Sequence, residues 1–343
     1  MAALAQAFAP YRRYLNSTML TIGIAVVVAL FVSVRYGPFA LINSLVLGGM
    51  WALIAAGLAL MFGVMNIPNF AQGEFFMVGS FTAYFVYSAI NNALGKNPPS
   101  ALAALAPFVG IAAAIGVGAI VGVLVEKLLF APLRKRTREN WVLNAFLLTA
   151  GLAVVMTNGA QIIFGTSFRG ITRYWDVDPI QILGVNVSVD RLVSLAIALV
   201  TIALFWLFLS RTQTGRAMRA VAQDEVGAQM QGIDLGRIYL LTVALTCALA
   251  ALAGGTLLFM FPAYPTTGIK ALYVSWYVLI LAGLGNVGGA IIGGFMVALL
   301  QTLTTYFVGE AWQDVVPIVI IVLILLFKPS GLFGSGVKGI WEQ

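Results

Sequence analysis

An all-α fold is predicted: a polytopic transmembrane helical bundle of about ten spans with interrupted or re-entrant segments. Three observations predict it. Hydrophobic residues are 61% of the 343 and charged residues 9%, with a mean hydropathy of +0.99. A soluble domain carries roughly 25% charge, so this apolar surplus must face lipid. The apolar residues also fall in runs near the ~20 that a helix needs to cross hydrocarbon. Finally, most Lys and Arg sit in the loops between runs, and unevenly. The net charge of +7 is therefore a topology signal, not a nucleic-acid footprint. No histidine is present, which excludes a His-based metal site or general base, and the single cysteine, Cys247, excludes an intrachain disulfide.

In chain order the expected spans are 15–34, 39–63, 74–92, 101–125 and 142–164, then 191–210, 237–261, 271–284, 289–309 and 315–327. The first follows Arg12 and Arg13, lacks a small-residue cleavage site, and is expected to stay as an anchor. The eighth and tenth are short and are expected to be tilted, broken or re-entrant. With the N-terminus inside, thirteen Lys and Arg fall on the cytoplasmic side and six on the other. That bias predicts both termini in the cytoplasm and an even number of spans. Each span must be helical, because an open sheet edge cannot be satisfied in hydrocarbon. Glycine runs such as Gly116–Gly118–Gly122 and Gly288–Gly289–Gly293–Gly294 are expected to let helices approach closely.

Three segments carry more information. The first is Gly63-Val-Met-Asn-Ile-Pro-Asn-Phe-Ala-Gln-Gly-Glu74. Pro68 removes a backbone donor and disfavours helix at Ile67. Asn66 and Asn69 can bond backbone groups freed at such a break. Glu74 opens the next helix, where a carboxylate meets the positive end of the helix dipole. The segment reads equally as a tight turn with a capped helix or as a broken membrane segment lining a polar pathway.

The second segment, residues 210–237, is the longest cytoplasmic loop. Residues 216–231 lack proline and are expected to be helical, with Ala217, Met218 and Val221 on one face and Arg216, Arg219 and Gln223 elsewhere. Gly232 ends the run as a C-cap glycine would. An amphipathic helix on the membrane surface is one reading. Asp224 and Glu225 among the arginines favour the other, docking into a protein.

The third segment, Leu281-Ala-Gly-Leu-Gly-Asn-Val-Gly-Gly-Ala-Ile-Ile-Gly-Gly-Phe295, is a glycine-rich break between two spans. At an offset of 220 it aligns Gly283, Asn286, Gly293 and Phe295 with Gly63, Asn66, Gly73 and Phe75. Paired interrupted helices point to a transport site, and chance similarity between glycine-rich turns is the competing explanation.

Together these residues resemble one family, the LivH-type permease subunits of branched-chain amino acid ABC importers. The resemblance rests on Asn69-Phe-Ala-Gln-Gly-Glu74, Glu126-Lys-Leu-Leu-Phe-Ala-Pro-Leu-Arg134, Thr214-Gly-Arg-Ala-Met-Arg-Ala-Val-Ala-Gln223 and Leu281-Ala-Gly-Leu-Gly-Asn-Val-Gly-Gly-Ala290, and runs from Phe39 to Phe333. It implies a permease domain at 39–333; the N-terminal tail and extra helix at 1–38 depart from the family pattern as a peripheral span or a fusion-like anchor, and 334–343 is a C-terminal tail. It implies a second, LivM-like permease, two cytoplasmic ATPases that bind ATP and Mg, and a periplasmic binding protein, with this chain in a bacterial inner membrane. No cofactor belongs to this chain and no nucleic acid is a partner.

By the resemblance, residues 211–237 form the ATPase-contacting loop, with Gly215, Arg216, Arg219, Gln223, Asp224, Glu225 and Gly232 as coupling positions. Asn66, Asn69, Gln72, Gly73, Glu74 and Asn286 are the candidates near the substrate route. The family's usual stretch reads Asn-Phe-Ala-His-Gly-Glu; Gln72 replaces the histidine, so imidazole proton chemistry is absent there. The outside loop at 165–190, with Arg169, Arg173, Asp176 and Asp178, is a surface for the binding protein or a solvated connection.

The resulting expectation is a non-enzymatic, ATP-driven import permease for Leu, Ile and Val. The same architecture also serves urea, short amides and other amino or aromatic acids. A stand-alone gradient-driven carrier using Glu74 is the first rival, and the docking-like loop argues against it. A membrane enzyme is the second, and scattered carboxylates argue against that.

Overall fold

The apolar run beginning near residue 39 becomes the centre of the molecule. It forms α1 (Pro38–Met65), with Pro38 in the first turn, where a missing N–H breaks no intrahelical bond. The helix stops at Asn66, the one left-handed residue other than glycine among the described residues (φ 54). Asn tolerates that region, and Pro68 two residues on prevents resumption. The computed structural model describes Gly23 and residues 37–95, 100–137, 141–171, 174–175, 177–182 and 184–334. The expected span at 15–34, nearly all of the 1–38 segment, the C-terminal tail beyond Gly334, Arg173 and Asp176 lie outside the described residues.

After α1 come α2 (Gln72–Leu94) and α3 (Ser100–Val125). A π-helical turn, Glu126–Phe130, carries α3 into the short α4 (Ala131–Arg136). Then follow α5 (Trp141–Phe164), the hairpin β1 (Ile180–Ile182) and β2 (Val185–Val187), and α6 (Val189–Arg211). The loop helices are α7 (Gln213–Gln223) and α8 (Glu225–Met230). The chain ends with α9 (Leu235–Leu257), α10 (Thr267–Ala282), α11 (Val287–Phe307), a 3₁₀ turn at Glu310–Trp312, and α12 (Val315–Phe327).

Seven of the described helices are long and apolar enough to cross a membrane. α10 has only 16 residues, and α2 carries Gln72 and Glu74 at one end and Asn91 and Asn92 near the other. With these two, and with the run at 15–34, the architecture is compatible with the expected bundle of about ten.

The bundle has an inner and an outer layer. The apolar windows of α1 and α9 are 83% and 78% buried, whereas those of α5 and α12 are 11% buried. α1 packs on α11, α9 and α10; α9 packs on α3 and α2. In lipid, apolar side chains gain little by meeting each other, so close packing of small residues holds such helices together. The α2–α9 contact shows this: a Cβ on Gly79 would overlap the backbone of Ala251, and one on Gly254 the backbone of Phe76. Gly118 and Gly122 lie against α9, and Gly294 lies against Ala52 of α1, as expected of glycine runs. Gly116 faces open space instead.

Three sequence expectations are corrected. The helix expected at 216–231 is two helices, because Asp224 leaves helical geometry and its Oδ1 accepts from the Gly227 N–H at 3.0 Å. The span expected to reach 261 stops at Leu257, five residues before Pro262, which restricts the residue ahead of it. The loop at 165–190, expected to be a polar surface or connection, contains a hairpin that turns at Gly184 (φ 80).

Candidate functional site

The backbone of the first break, residues 66–71, is satisfied partly from within and partly by α5. Asn69 Oδ1 accepts from the Ala71 N–H at 2.9 Å, and its Nδ2 donates to Gln72 Oε1 at 3.3 Å. Gln72 Nε2 donates to the Ile54 carbonyl at 3.4 Å. The Phe70 N–H donates to Thr149 Oγ1 on α5 at 3.1 Å. Asn69, Gln72 and Glu74 are all buried. Glu74 makes no capping bond although it lies in the first turn of α2. Its carboxylate oxygen Oε2 has no hydrogen-bond partner among the described residues. Gly73 is a packing residue: a Cβ there would overlap the Gly268 carbonyl at the start of α10.

The second break lies between α10 and α11. Gly283 and Gly285 adopt φ 99 and φ 79, values open to glycine at no steric cost. Asn286 caps α11, its Oδ1 accepting from the Gly289 N–H at 2.8 Å and its Nδ2 donating to the Phe333 carbonyl at 2.8 Å. The segment after α12 closes over this break through Leu332 N–H to Leu281 O, at 2.7 Å, and Phe333 N–H to Ala282 O, at 3.1 Å.

The structure brings the two breaks into contact. A Cβ on Gly63 would lie 3.1 Å from the Gly285 carbonyl oxygen. Both breaks wall one cavity of about 800 Å³, which Asn66 and Asn286 line together with Trp206, Ser210 and Arg219. The two asparagines are not equivalent, since Asn66 ends a helix by its backbone and Asn286 starts one by its side chain. Of the route candidates, then, Asn66 and Asn286 reach the cavity, whereas Asn69, Gln72, Gly73 and Glu74 lie in the packed interior.

The loop helices form the adjoining wall. Thr212 caps α7, its hydroxyl accepting from the Gly215 N–H at 3.0 Å. Gly215, Met218 and Val221 are buried, and Arg216, Arg219 and Gln223 are exposed, as the periodicity predicts. A Cβ on Gly215 would overlap the last turn of α6, so glycine lets α7 fold back tightly. Gly232 (φ 82) ends α8: Ile233 N–H bonds to Ala228 O and Gly232 N–H to Gln229 O, the Schellman pattern. Asp224 shapes the elbow between α7 and α8, and Glu225 follows it, exposed. Sequence reasoning missed Val226 and Met230, one turn apart on α8 and 62% and 81% exposed. Their apolar character beside charged neighbours was the available signal.

A buried polar hub at the other end also escaped the sequence reading. The Trp51 indole N–H donates to Gln301 Oε1 at 2.9 Å. Gln301 Nε2 donates to the Tyr277 hydroxyl at 3.1 Å and to Asp314 Oδ1 at 2.8 Å. Asp314 Oδ2 lies 3.2 Å from Lys270 Nζ. The hub joins α1, α10, α11 and the link to α12. At the same end Arg191 donates to Asn43 Oδ1 at 2.7 Å, fastening α6 to α1. Arg169 turns inward over the rings of Tyr84 and Phe85 and donates to the Phe164 carbonyl, although the polar loop suggested an outward surface. Tyr174 and Trp175 pack against Phe259.

The family described as "Branched-chain amino acid transport system / permease component" matches residues 40–325. The high-affinity branched-chain amino acid transport system permease protein LivH of Escherichia coli (strain K12) is 28% identical over 85% of this chain and 94% of its own. The probable LivH of Methanocaldococcus jannaschii is 29% identical over 85% and 91%. The probable LivM of the same organism is 24% identical over 83% and 90%. A membrane bundle with two touching helix breaks, matched over most of its length, is a transport permease and not an enzyme: this chain belongs to the branched-chain amino acid transport system permease family.

Proposed function

We propose that this chain is one of two related permease subunits of an ATP-driven importer for Leu, Ile and Val. The membrane is the bacterial cytoplasmic membrane, and both termini face the cytoplasm. The second permease is LivM-like; similarity to both a LivH and a LivM of one organism supports a pair. A periplasmic protein delivers the amino acid at the hairpin end, and two ATPases, which hold ATP and Mg, bind at the α7–α8 end. No cofactor sits in this chain.

One observation carries the reading. α7 buries Met218 in the bundle, presents Arg216 and Gln223 to solvent, and places Arg219 on the rim of the cavity that holds Asn66 and Asn286. α7 therefore shares a cavity wall with both helix breaks, so a displacement of α7 changes the space between them. Val226 and Met230 are the apolar anchors for the ATPase, and Arg216, Gln223, Asp224 and Glu225 surround them. ATP binding shifts the permease between two states by the difference in ATPase affinity for them. Asn66 and Asn286 border the inner route, and Glu74 is a carboxylate buried in the packed interior, a functional candidate on that ground alone.

The test is co-purification and uptake. The native complex in mild detergent should contain a second permease and two ATPases, and vesicles should take up labelled leucine only with binding protein and ATP. Met230→Asp should remove the ATPases and abolish uptake while leaving the chain folded. Recovery of the chain alone, with uptake driven by an ion gradient, overturns the reading. Full uptake by Glu74→Gln at normal expression restricts Glu74 to a structural part.

A further inference from the structure

A second pocket, of about 650 Å³, opens where the end of α3 and the π turn meet the start of α9. Its walls are Glu126, Lys127, Arg134, Lys135, Gly236 and Leu240, with Ala131 between them. The proposed function makes no use of it. The charges in it divide into two kinds. Arg134 pairs with buried Glu126 and is held over the Tyr239 ring at 4.6 Å and the Trp141 ring at 5.6 Å. That cation is spent on the fold. Lys127 and Lys135 are exposed and make no ion pair or side-chain hydrogen bond among the described residues. Asp234, the acid at the start of α9, accepts from the Arg237 N–H at 3.2 Å and so caps its own helix. The pocket thus carries two uncommitted positive charges and no uncommitted acid on its walls.

Its flank is apolar. Leu128, one residue beyond Lys127, is 67% exposed, and Leu124 and Leu241 are exposed beside it. A basic pocket on the boundary between solvent and a lipid-facing apolar wall suits an amphiphile with an anionic head and an apolar tail. Such pockets between membrane helices on the cytoplasmic side hold anionic headgroups. The π turn is a further sign, because these bulges concentrate at functional positions.

We propose that this pocket binds the phosphate headgroup of an anionic phospholipid, with Lys127 and Lys135 as the charge partners and the Leu124–Leu128 face against its acyl chains. The lipid sits in the leaflet on the α7–α8 side and wedges α3 against α9. The placement in the inner leaflet rests on the orientation given above; the binding itself does not.

The test is native mass spectrometry of the full-length chain in mild detergent, titrated with phosphatidylglycerol or with phosphatidylcholine. Wild type should retain one phosphatidylglycerol in preference to phosphatidylcholine. Lys127→Gln/Lys135→Gln should weaken phosphatidylglycerol roughly ten- to thirtyfold, since each lysine near such a headgroup contributes about a factor of five. Phosphatidylcholine retention should not change, and Lys127→Arg/Lys135→Arg should restore the preference. Equal retention of both lipids by wild type overturns the proposal, as does unchanged phosphatidylglycerol binding by the glutamine variant. Displacement of phosphatidylglycerol by millimolar inorganic phosphate, with phosphate bound alone, would make this a free-anion site and overturn it too. So would loss of co-purifying ATPases in the glutamine variant with lipid binding intact, which would make the patch a protein contact. None of these readouts requires transport, so the importer reading and the lipid site fail separately.

Discussion

At the end that carries α7 and α8, the helices meet through glycine and asparagine around a cavity of about 800 Å³. At the opposite end they are tied by side chains: Gln301 to Trp51, Tyr277 and Asp314, and Arg191 to Asn43. The difference is one of mechanics. Glycine contacts hold helices by proximity alone, and two left-handed glycines let the chain turn without strain. Directed hydrogen bonds fix both distance and angle, and leaving one unmade in a buried site is costly. A permease that opens at one end while the other stays shut is suited by such a division, with a latch at one end and compliant joints at the other.

The largest expected effect comes from breaking the latch. Gln301→Leu removes three side-chain bonds, each about 0.6–1 kcal/mol inside a membrane protein, and strands the Trp51 N–H. A loss of roughly 2–4 kcal/mol is expected. Thermal unfolding of the purified chain in detergent reads it, and an unshifted transition would remove the hub from the comparison. Gly285→Ala attacks the compliant end. Its φ of 79 disfavours any side chain by about 1–2 kcal/mol, and the new Cβ would lie 3.1 Å from Gly63 Cα. Uptake should fall more than stability, because the joint stiffens while the latch is intact. Equal losses would make the break a structural turn only.

Asn286→Ala should cost about 1 kcal/mol through its lost cap and lost tie to Phe333. Asn66→Gly is the informative partner. Glycine accepts the same left-handed backbone, so stability should hold. If Asn66 serves only as a backbone cap, uptake holds as well; uptake lost with the fold intact assigns its side chain to the route.

The compliant end was legible in the sequence and the latch was not, for physical reasons. Pro68 and the glycines around Asn286 interrupt apolar runs, and an interruption is a local event that local reading detects. The 220-residue offset pairs the two breaks in sequence but carries no sign that they touch. Gln301 gave no such signal. One glutamine in an apolar helix does not announce a partner 250 residues away. The hairpin formed by Ile180–Ile182 and Val185–Val187 has only short alternating runs about Gly184 to signal it, and the charges of the loop outweigh them in a local reading. Asp224 was read as a charge when its position between two helical runs made it a cap. Asn69 and Gln72 look like route residues because they are polar at a break; in the fold they bond to each other, to the Ala71 N–H and to the Ile54 carbonyl of α1.

The smallest expected effect separates the surface of the latch from its core. Lys270 and Asp314 are each 44% exposed, and an exposed pair contributes about 0–1 kcal/mol and weakens with salt. Asp314→Asn keeps an oxygen in the position that accepts from Gln301 Nε2 and discards the charge that holds Lys270. It should change stability by less than about 0.5 kcal/mol, and raising the salt concentration should erase the change. Lys270→Gln should behave the same way, and combining the two should add nothing. If Asp314→Asn instead costs as much as Gln301→Leu, the carboxylate's charge reaches the buried hub. The two ends of the bundle would then differ in electrostatics as well as in packing, and the outer closure would respond to any charged protein surface docked against Lys270.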